Sequence, residues 1–363
     1  MSKSVIFLSI PGLRPSDLGA MPRLAALMAS GDRAALTASF PCVTWPVQAN
    51  MLTGQLPAKH GVIANGFYWR DQQQVEMWTA WNDKVAAPQI WDRLHQLSPK
   101  RTSAVWFPML SKGCGADYVC MPAPIHHPDG AEELWCYTQP RELYGELRDR
   151  LGHFPLQHFW GPLANIKSTE WIARSAVHAA ERFRPDFFYL YLPHLDYAAQ
   201  RTGPDSPPAQ AAVAELDAVI GTLADGLAAA YGDAEPVWLA ASEYVITPVS
   251  HVTYPNRVLR EAGLLHVREQ ADGEHLDLEA SRAWALVDHQ FSHVFVRDAD
   301  PRVIDRIARI GQRFGIGLES VTFQDEWPVA GASGPLALAA GPAFEIAHGR
   351  VAIDDRDAIR IFR

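Results

Sequence analysis

Residues 5–14 read VIFLSIPGLR, and they are where the fold first declares itself. Val5–Ile10 is a run of large and β-branched apolar residues without polar alternation. Such a run suits a strand buried on both faces of a parallel sheet, not one with a wet face. Pro11-Gly12 ends it, because proline has no amide proton for a ladder and glycine admits turn backbone. Downstream, Pro22–Ser30 carries Leu24, Leu27 and Met28 at helical spacing and stops at Gly31. Arg33–Ala38 is expected as a short strand. Phe40-Pro41-Cys42-Val43-Thr44-Trp45-Pro46 reads as a turn between prolines. Pro46 at the first position of a helix to about Thr53 would leave Thr44 just ahead of that helix.

The alternation resumes in the second half. Glu170–Phe183 is helical, Asp186–Leu192 (DFFYLYL) is a buried strand, and Pro207–Tyr231 is a long Ala/Leu-rich helix. Pro236–Ala241 reads as another buried strand, and Asn256–Ala262 as a short helix ending at Gly263. Trp284–Val287, His293–Arg297, a helix over Pro301–Phe314 and Gly334–Ala340 follow. Strands separated by helices of this length predict an α/β fold with a mostly parallel central sheet and helices on both faces. The expected organisation is one domain over residues 1–363. Residues 68–159, aperiodic and rich in Trp, Pro, His and Gln, are expected as a cap insertion of loops. Residues 251–300 are expected as a second cap insertion.

Composition narrows the function. The 363 residues include 32 Lys+Arg and 41 Asp+Glu, a net charge of −9, with 48% apolar and 20% charged residues. That is a folded chain, and with no Lys/Arg runs neither nucleic acid nor an anionic membrane surface is expected as partner. No apolar run approaches the ~18 residues of a membrane span, and the opening run is too short for a secretory core. Four cysteines without a CxxC predict reduced thiols and a cytoplasmic location. A small molecule is the expected partner.

Ligands of an open parallel sheet sit beyond the carboxyl ends of its strands. The residues following each strand are therefore candidates: Pro11 to Arg14, Thr44, then His194, Asp196 and Gln200, then Ser242, Glu243 and Tyr244. Taken in order, these segments form a pattern. SIPGLRPSDL (9–18), FPCVTWP (40–46), TGQLPAKHGVIAN (53–65), LPHLDYAAQRTGPDS (192–206) and LAASEYVITPV (239–249) together resemble the alkaline phosphatase superfamily in its nucleotide pyrophosphatase/phosphodiesterase branch. The resemblance covers about Val5–Tyr68 and Tyr189–Leu265. It implies an alkaline-phosphatase-like fold, a nucleophile at Thr44, and an Asn65 that hydrogen-bonds a substrate oxygen.

It also implies two zinc ions, held by three Asp and three His and bridged by the nucleophile. The departures fall on those ligands. Pro11 stands in place of the first Asp, Asp196 is kept, and Gln200 replaces the His four residues on. Glu243-Tyr244 replaces an Asp-His pair, and Ala330, before Ser333-Gly334, replaces the last His. A divalent site needs anionic oxygens and neutral imidazoles, so no two-zinc site and no cofactor is expected. The remaining metal alternative is a single weakly held zinc between Asp196 and Glu243.

Each candidate also has a plainer reading. Thr44 is either the nucleophile or a helix cap, and Asn65 either a ligand contact or a turn residue with positive φ. Asp196 and Glu243 either share a proton for acid–base work or bond to neighbours and hold the pocket together. In Asp288-His289-Gln290-Phe291-Ser292-His293, a spacing of four puts His289 and His293 on one face, as metal ligands or as a base with Asp288 orienting it. Otherwise His293 begins a strand and His289 packs in the cap. His126 and His127 are expected at the surface. Trp45, Trp69, Trp78 and Trp81 either line an aromatic pocket or pack in the core. Tyr244, Gln200, His194, Trp45 and Asn65 are the expected substrate-binding residues. Without metal, Thr44 needs a general base, and His194, His289 or His293 would have to lie within ~3 Å. The expected function is a repurposed, metal-independent enzyme acting through the Thr44 pocket. The alternatives are a noncatalytic ligand- or protein-binding relative, and a metal-dependent phosphodiesterase with an altered site.

Overall fold

The apolar run that opens the chain forms β1 (Val5–Ser9), an interior strand of a six-stranded sheet in the computed structural model. The structure describes residues 3–313 except 38, 78, 128–130, 250 and 251, and also 320–323 and 336–339. The other strands are β2 (Ser103–Trp106), β3 (Tyr118–Pro122), β4 (Cys136–Gln139), β5 (Phe187–Tyr191) and β6 (Val237–Ala241). Their order is β6-β1-β5-β2-β3-β4. Every neighbouring pair is parallel except β3–β4. The register sets Ser9 beside Tyr191 and Ala241. The carboxyl ends of β1, β5 and β6 are thus level, and the turns that follow them emerge along one edge.

The connections carry helices α1 (Pro22–Leu27), α2 (Thr44–Thr53), α3 (Ile90–Leu97), α4 (Leu143–Leu151), α5 (Ile166–Phe183), α6 (His194–Thr202) and α7 (Pro207–Tyr231). Ile6, Leu8, Val105, Val119, Phe188 and Leu190 are fully buried, which is why these strands lack alternation. β6 departs from expectation: it is an edge strand, with Val237 45% and Leu239 48% exposed. Arg33–Leu36 and Thr37 form no strand, and Ala38 lies outside the described residues.

The chain divides into two compact units. The first comprises Met1–Leu56 and Ala80–Ile246, and the second Pro57–Thr79 with Thr247 onward. Residues 68–159 are divided between the two units. Their first part belongs to the second unit, and β2, β3 and β4 belong to the central sheet. These strands are only four or five residues long. Flanked by Pro, Trp and Cys, they leave too short a period to read.

In the second unit, Gly66–Trp69 pairs with Gln74–Met77, Val267–Gln270 with Gly273–Leu276, and Ala283–Asp288 with Phe291–Val296. A further backbone pairing joins Ser320–Phe323 to Leu336–Ala339. Leu259, Leu264, Trp284, Leu286, Phe295, Val303 and Ile304 form its core. Tyr68 sets its ring edge-on to Trp284 and Phe295, a favoured geometry for the aromatic quadrupole. Among the described residues, no helix is long and apolar enough to cross a membrane.

Candidate active site

The site is built on the level strand ends of the first unit. After β1, Pro11-Gly12 turns with Gly12 at φ +81 and its N–H bonded to the Tyr244 carbonyl. A Cβ there would sit 3.5 Å from the Leu195 Cβ. That is ordinary van der Waals contact, so glycine's role here is to supply the left-handed backbone.

Thr44 is the first residue of α2, one position further into the helix than expected, and Pro46 occupies the first turn where its missing N–H costs nothing. Val43 is the cap residue, and Gly54 in the left-handed conformation closes the other end. The Thr44 hydroxyl does not cap the helix. It lies 3.3 Å from the Tyr244 hydroxyl instead. Tyr244 donates to Asp196 Oδ1 at 3.1 Å, and Gln200 Nε2 donates to Asp196 Oδ2 at 2.8 Å. Asp196 and Gln200 share a face of α6 because they are four residues apart. Burial, reinforced by Asp196, Tyr191 and Glu243, raises the Tyr244 phenol well above its usual range, and the phenol stays protonated.

Glu243 is buried one residue earlier. Its Oε1 accepts from the Ser9 hydroxyl at 2.6 Å and from Gln48 Nε2 at 2.9 Å, while Oε2 is buried without a hydrogen-bond partner among the described residues. Gln48 follows Thr44 by one helical turn, and its Oε1 accepts the Met109 N–H at 2.7 Å. A backbone N–H can only donate, so this bond fixes the orientation of the Gln48 amide. Burial pushes the Glu243 carboxyl up to about 8, helped by the charge of Asp196 and opposed by its two bonds. Burial and Glu243 push the Cys42 thiol up to about 11. The Met109 loop follows β2 and contains two non-glycine residues with left-handed backbone, Phe107 (φ +66) and Leu110 (φ +54). Such strain concentrates at functional sites.

Thr44, Tyr244, Asp196, Gln200 and Glu243 therefore belong to one assembly. His194 turns away from it: Nε2 is 2.8 Å from Glu215 Oε2 on α7, and burial lowers its pKa despite that carboxylate. Trp45 is 1% exposed, a core aromatic. Trp81 is half exposed under the Lys112 ammonium. Trp69 lies in the second unit with Nε1 on Glu76, and Trp78 lies outside the described residues. His126 and His127 lie at the surface beside Glu132 and Glu133. Ala330 and Ser333-Gly334 lie outside the described residues.

Asn65 belongs to the second unit and is buried there with Asp288. The Asn65 N–H donates to Asp288 Oδ2 at 2.6 Å and its Nδ2 to Oδ1 at 3.0 Å. His289 does not share a face with His293. It sits in the hairpin turn at φ +35, whereas His293 is inside the strand with Nε2 on the Ile63 carbonyl. Sequence reading missed Ser9, Gln48 and Met109. The available signals were a lone serine closing an apolar strand and a glutamine one turn beyond Thr44.

The parallel sheet, the helix-start threonine and the clustered carboxyls at the strand ends stand where the resemblance to the alkaline phosphatase superfamily implies them. The model of the type I phosphodiesterase/nucleotide pyrophosphatase family matches residues 5–351. The chain belongs to that family. An uncharacterised pyrophosphatase/phosphodiesterase of Schizosaccharomyces pombe is 24% identical over 240 residues, 62% of this chain and 41% of that protein. The chain thus spans less than half the length of the curated relative it matches. Phosphonoacetate hydrolase from Sinorhizobium meliloti, solved with phosphonoacetate, is similar with a TM-score of 0.59 and 17% identity, over 97% of this chain and 82% of that one. A murine ectonucleotide pyrophosphatase/phosphodiesterase, solved with AMP, has a TM-score of 0.59 and 15% identity, over 98% and 82%. At these identities the two structures speak to fold alone.

Proposed function

We propose that this chain is a metal-independent enzyme on the phosphodiesterase scaffold, attacking a small ester through Thr44. One observation carries the reading: Thr44, Tyr244 and Asp196 form a continuous hydrogen-bonded chain. Its direction follows from donor chemistry. A carboxylate only accepts, so the Tyr244 proton points at Asp196, and toward Thr44 the phenol oxygen must accept. The Thr44 proton is then directed along a path that ends on a base. As the Oγ1–H bond breaks, Tyr244 takes that proton and passes its own to Asp196; Oγ1 bonds to the ester's electrophilic atom while the bond from that atom to the leaving oxygen breaks, and that oxygen departs with the electron pair and is protonated by solvent.

The family implies two zinc ions, and the donor set does not fit them. Pro11 has no side-chain donor, and Gln200 and Tyr244 are neutral groups already bonded to Asp196. Among the described residues, no three His, Cys, Asp or Glu side chains converge. Neutral hydrogen-bond donors thus meet Asp196 at the positions where the resemblance implies metal ligands. With no metal charge at Asp196 and a net charge of −9, the pocket suits a neutral or singly charged ester better than a dianion.

A second reading, a noncatalytic binding module, is favoured by the company Thr44 keeps. The phenols of Tyr191 and Tyr244 are both raised, and the one imidazole on α6 faces Glu215. Metal analysis of protein purified without chelator, followed by turnover of a chromogenic phosphodiester and a chromogenic acyl ester, tests both. The expected result is metal below stoichiometry, with turnover abolished in Thr44→Ala. Two zinc equivalents per chain would overturn the proposal. Undetectable turnover with ligand-induced stabilisation intact would establish the binding module instead.

A further inference from the structure

Two tyrosines of β5 reach the helix that begins with Thr44. Alternate residues share a face of a strand, so Tyr189 and Tyr191 point to the same side of β5. Thr44 and Met51, seven residues apart, share a face of α2. The strand and the helix meet at both places. The Tyr189 hydroxyl lies 4.0 Å from Met51 Sδ, and the Tyr191 hydroxyl bonds to the Thr44 side chain. Tyr191 is 4% exposed, and its ring stands edge-on to Phe159 with 6.3 Å between centroids. Burial, reinforced by Glu243 and Asp196, raises the phenol well above its usual range, so it keeps its proton. Thr44 itself is only partly buried.

We propose that Tyr191 is a second catalytic phenol, donating to Thr44 Oγ1 and following the negative charge from that oxygen onto the ester. This rests on the reading of Thr44 as the nucleophile. Its first part is a count of protons. The hydroxyls of Thr44, Tyr191 and Tyr244 carry one proton each, and the Asp196 carboxylate carries none. Tyr244 gives its proton to Asp196 and so accepts from Thr44. Thr44 then has no proton left for Tyr191, and Tyr191 must donate. The row runs from Tyr191 through Thr44 and Tyr244 to Asp196, with every donor pointing the same way.

The second part is what changes on attack. One lone pair of Oγ1 takes the Tyr191 proton, which leaves the other for the electrophile. As the Thr44 proton passes to Tyr244 and the Tyr244 proton to Asp196, negative charge builds on Oγ1 beside a fixed donor. Oγ1 then bonds to the electrophilic atom of the ester, and the leaving oxygen departs with the electron pair of the bond that breaks. Charge grows meanwhile on the remaining oxygen of that atom, and Oγ1, now part of an ester, accepts weakly. Both oxygens are bonded to one atom, so a turn of the Tyr191 O–H carries it from one to the other. Tyr191 gives up no proton. A donor aimed where charge develops favours the transition state over the bound ester, so it acts on kcat and not on KM.

The test reads the bond and the catalysis separately. In the full chain, the Tyr191 hydroxyl is identified in tyrosine-labelled protein by the loss of its NMR signal in Tyr191→Phe. Its hydrogen exchange is then followed in wild type and in Thr44→Val, which keeps the side-chain shape and removes the hydroxyl. Exchange at least about tenfold faster in Thr44→Val is expected from the loss of one hydrogen bond. An unchanged rate overturns the bond and the proposal with it.

In the kinetic arm, bis(4-nitrophenyl) phosphate and 4-nitrophenyl acetate are offered to wild type, Tyr191→Phe and Thr44→Ala. On the ester that the wild type turns over, Tyr191→Phe should lower kcat about a hundredfold and leave KM within about twofold. A kcat within about threefold of wild type, or a change confined to KM, overturns the catalytic role. Phenylalanine keeps the ring against Phe159, and a cooperative melt checks that the variant folds. Should it not, a fluorinated tyrosine at the same position, a stronger donor, is read in its place: kcat should hold or rise, and a fall overturns the role. Turnover absent from wild type, or surviving in Thr44→Ala, overturns the nucleophile reading and the catalytic role with it, while the exchange experiment still decides the bond.

Discussion

Replacing Glu243 with glutamine should make the protein more stable as the solution becomes more alkaline. The carboxyl accepts two bonds on Oε1 and leaves Oε2 buried without a partner among the described residues. An anion in that setting loses its hydration and gains only two neutral donors, so the proton is retained. Burial moves the group from 4.5 to about 8 in the folded state. Between those values the native state holds more protons than the unfolded chain, so the free energy of unfolding falls as pH rises. The stability is complete below 4.5, is lost progressively through the window, and reaches its floor above about 8. A shift of this size corresponds to roughly 4–5 kcal/mol as an upper bound, because water entry and relaxation lessen the real cost.

Glutamine reproduces the neutral acid: Oε1 still accepts from Ser9 and Gln48, and an amide stands where the protonated oxygen stood. Denaturant unfolding of wild type and Glu243→Gln, at constant ionic strength from about pH 5 to pH 9, reads the difference directly. The two curves should meet near the acid end and separate as pH rises, with the variant more stable by ~2 kcal/mol or more at the alkaline end. Parallel profiles, or a variant less stable than wild type throughout, would refute the account of a proton held by burial.

The other expectations concern the scaffold of the site. Thr44→Ala should change stability by under ~0.5 kcal/mol, since its hydroxyl does not cap α2, and thermal melting against the wild type checks this. Tyr244→Phe removes a donor from buried Asp196 and should cost ~1–3 kcal/mol in denaturant unfolding, whereas Gln200→Glu, which sets a second carboxyl against it, should cost at least as much at neutral pH. Asp217→Ala strips the acceptors from the Arg23 and Leu24 N–H groups at the start of α1, bonds of 3.0 and 2.9 Å. It should lower stability by ~1–3 kcal/mol without touching turnover. Gly12→Ala meets a φ of +81 and should cost ~1–2 kcal/mol and reduce ligand binding together.

How far the sequence reached depended on the range of the interaction concerned. β1 and β5 were legible because strands buried on both faces are apolar without interruption, and α5 and α7 because their periods run for several turns. β2, β3 and β4 are not legible in the sequence, because a strand of four or five residues between prolines and tryptophans carries no period of its own and is recognised only once the neighbouring strands are beside it. β6 was read as buried because its composition is apolar; that it lies at an edge is a property of the strand order. Thr44 was placed within one residue of its helix position, yet its cap reading failed because the competing partner, Tyr244, is 200 residues away.

By itself, then, the sequence determined the family, the α/β sheet and the identity of the residues at the strand ends. Local chemistry governs these: apolar runs, turn residues and ordered motifs are written in consecutive positions. Tertiary structure alone decided what those residues do to one another. It turned His194 toward Glu215, joined Thr44 through Tyr244 to Asp196, and buried Glu243 with its proton. It also gave Asp288 to Asn65 across 223 residues. The physical reason is that a side-chain hydrogen bond or a shifted pKa depends on distance, direction and dielectric in space. None of these is fixed until the chain has closed on itself.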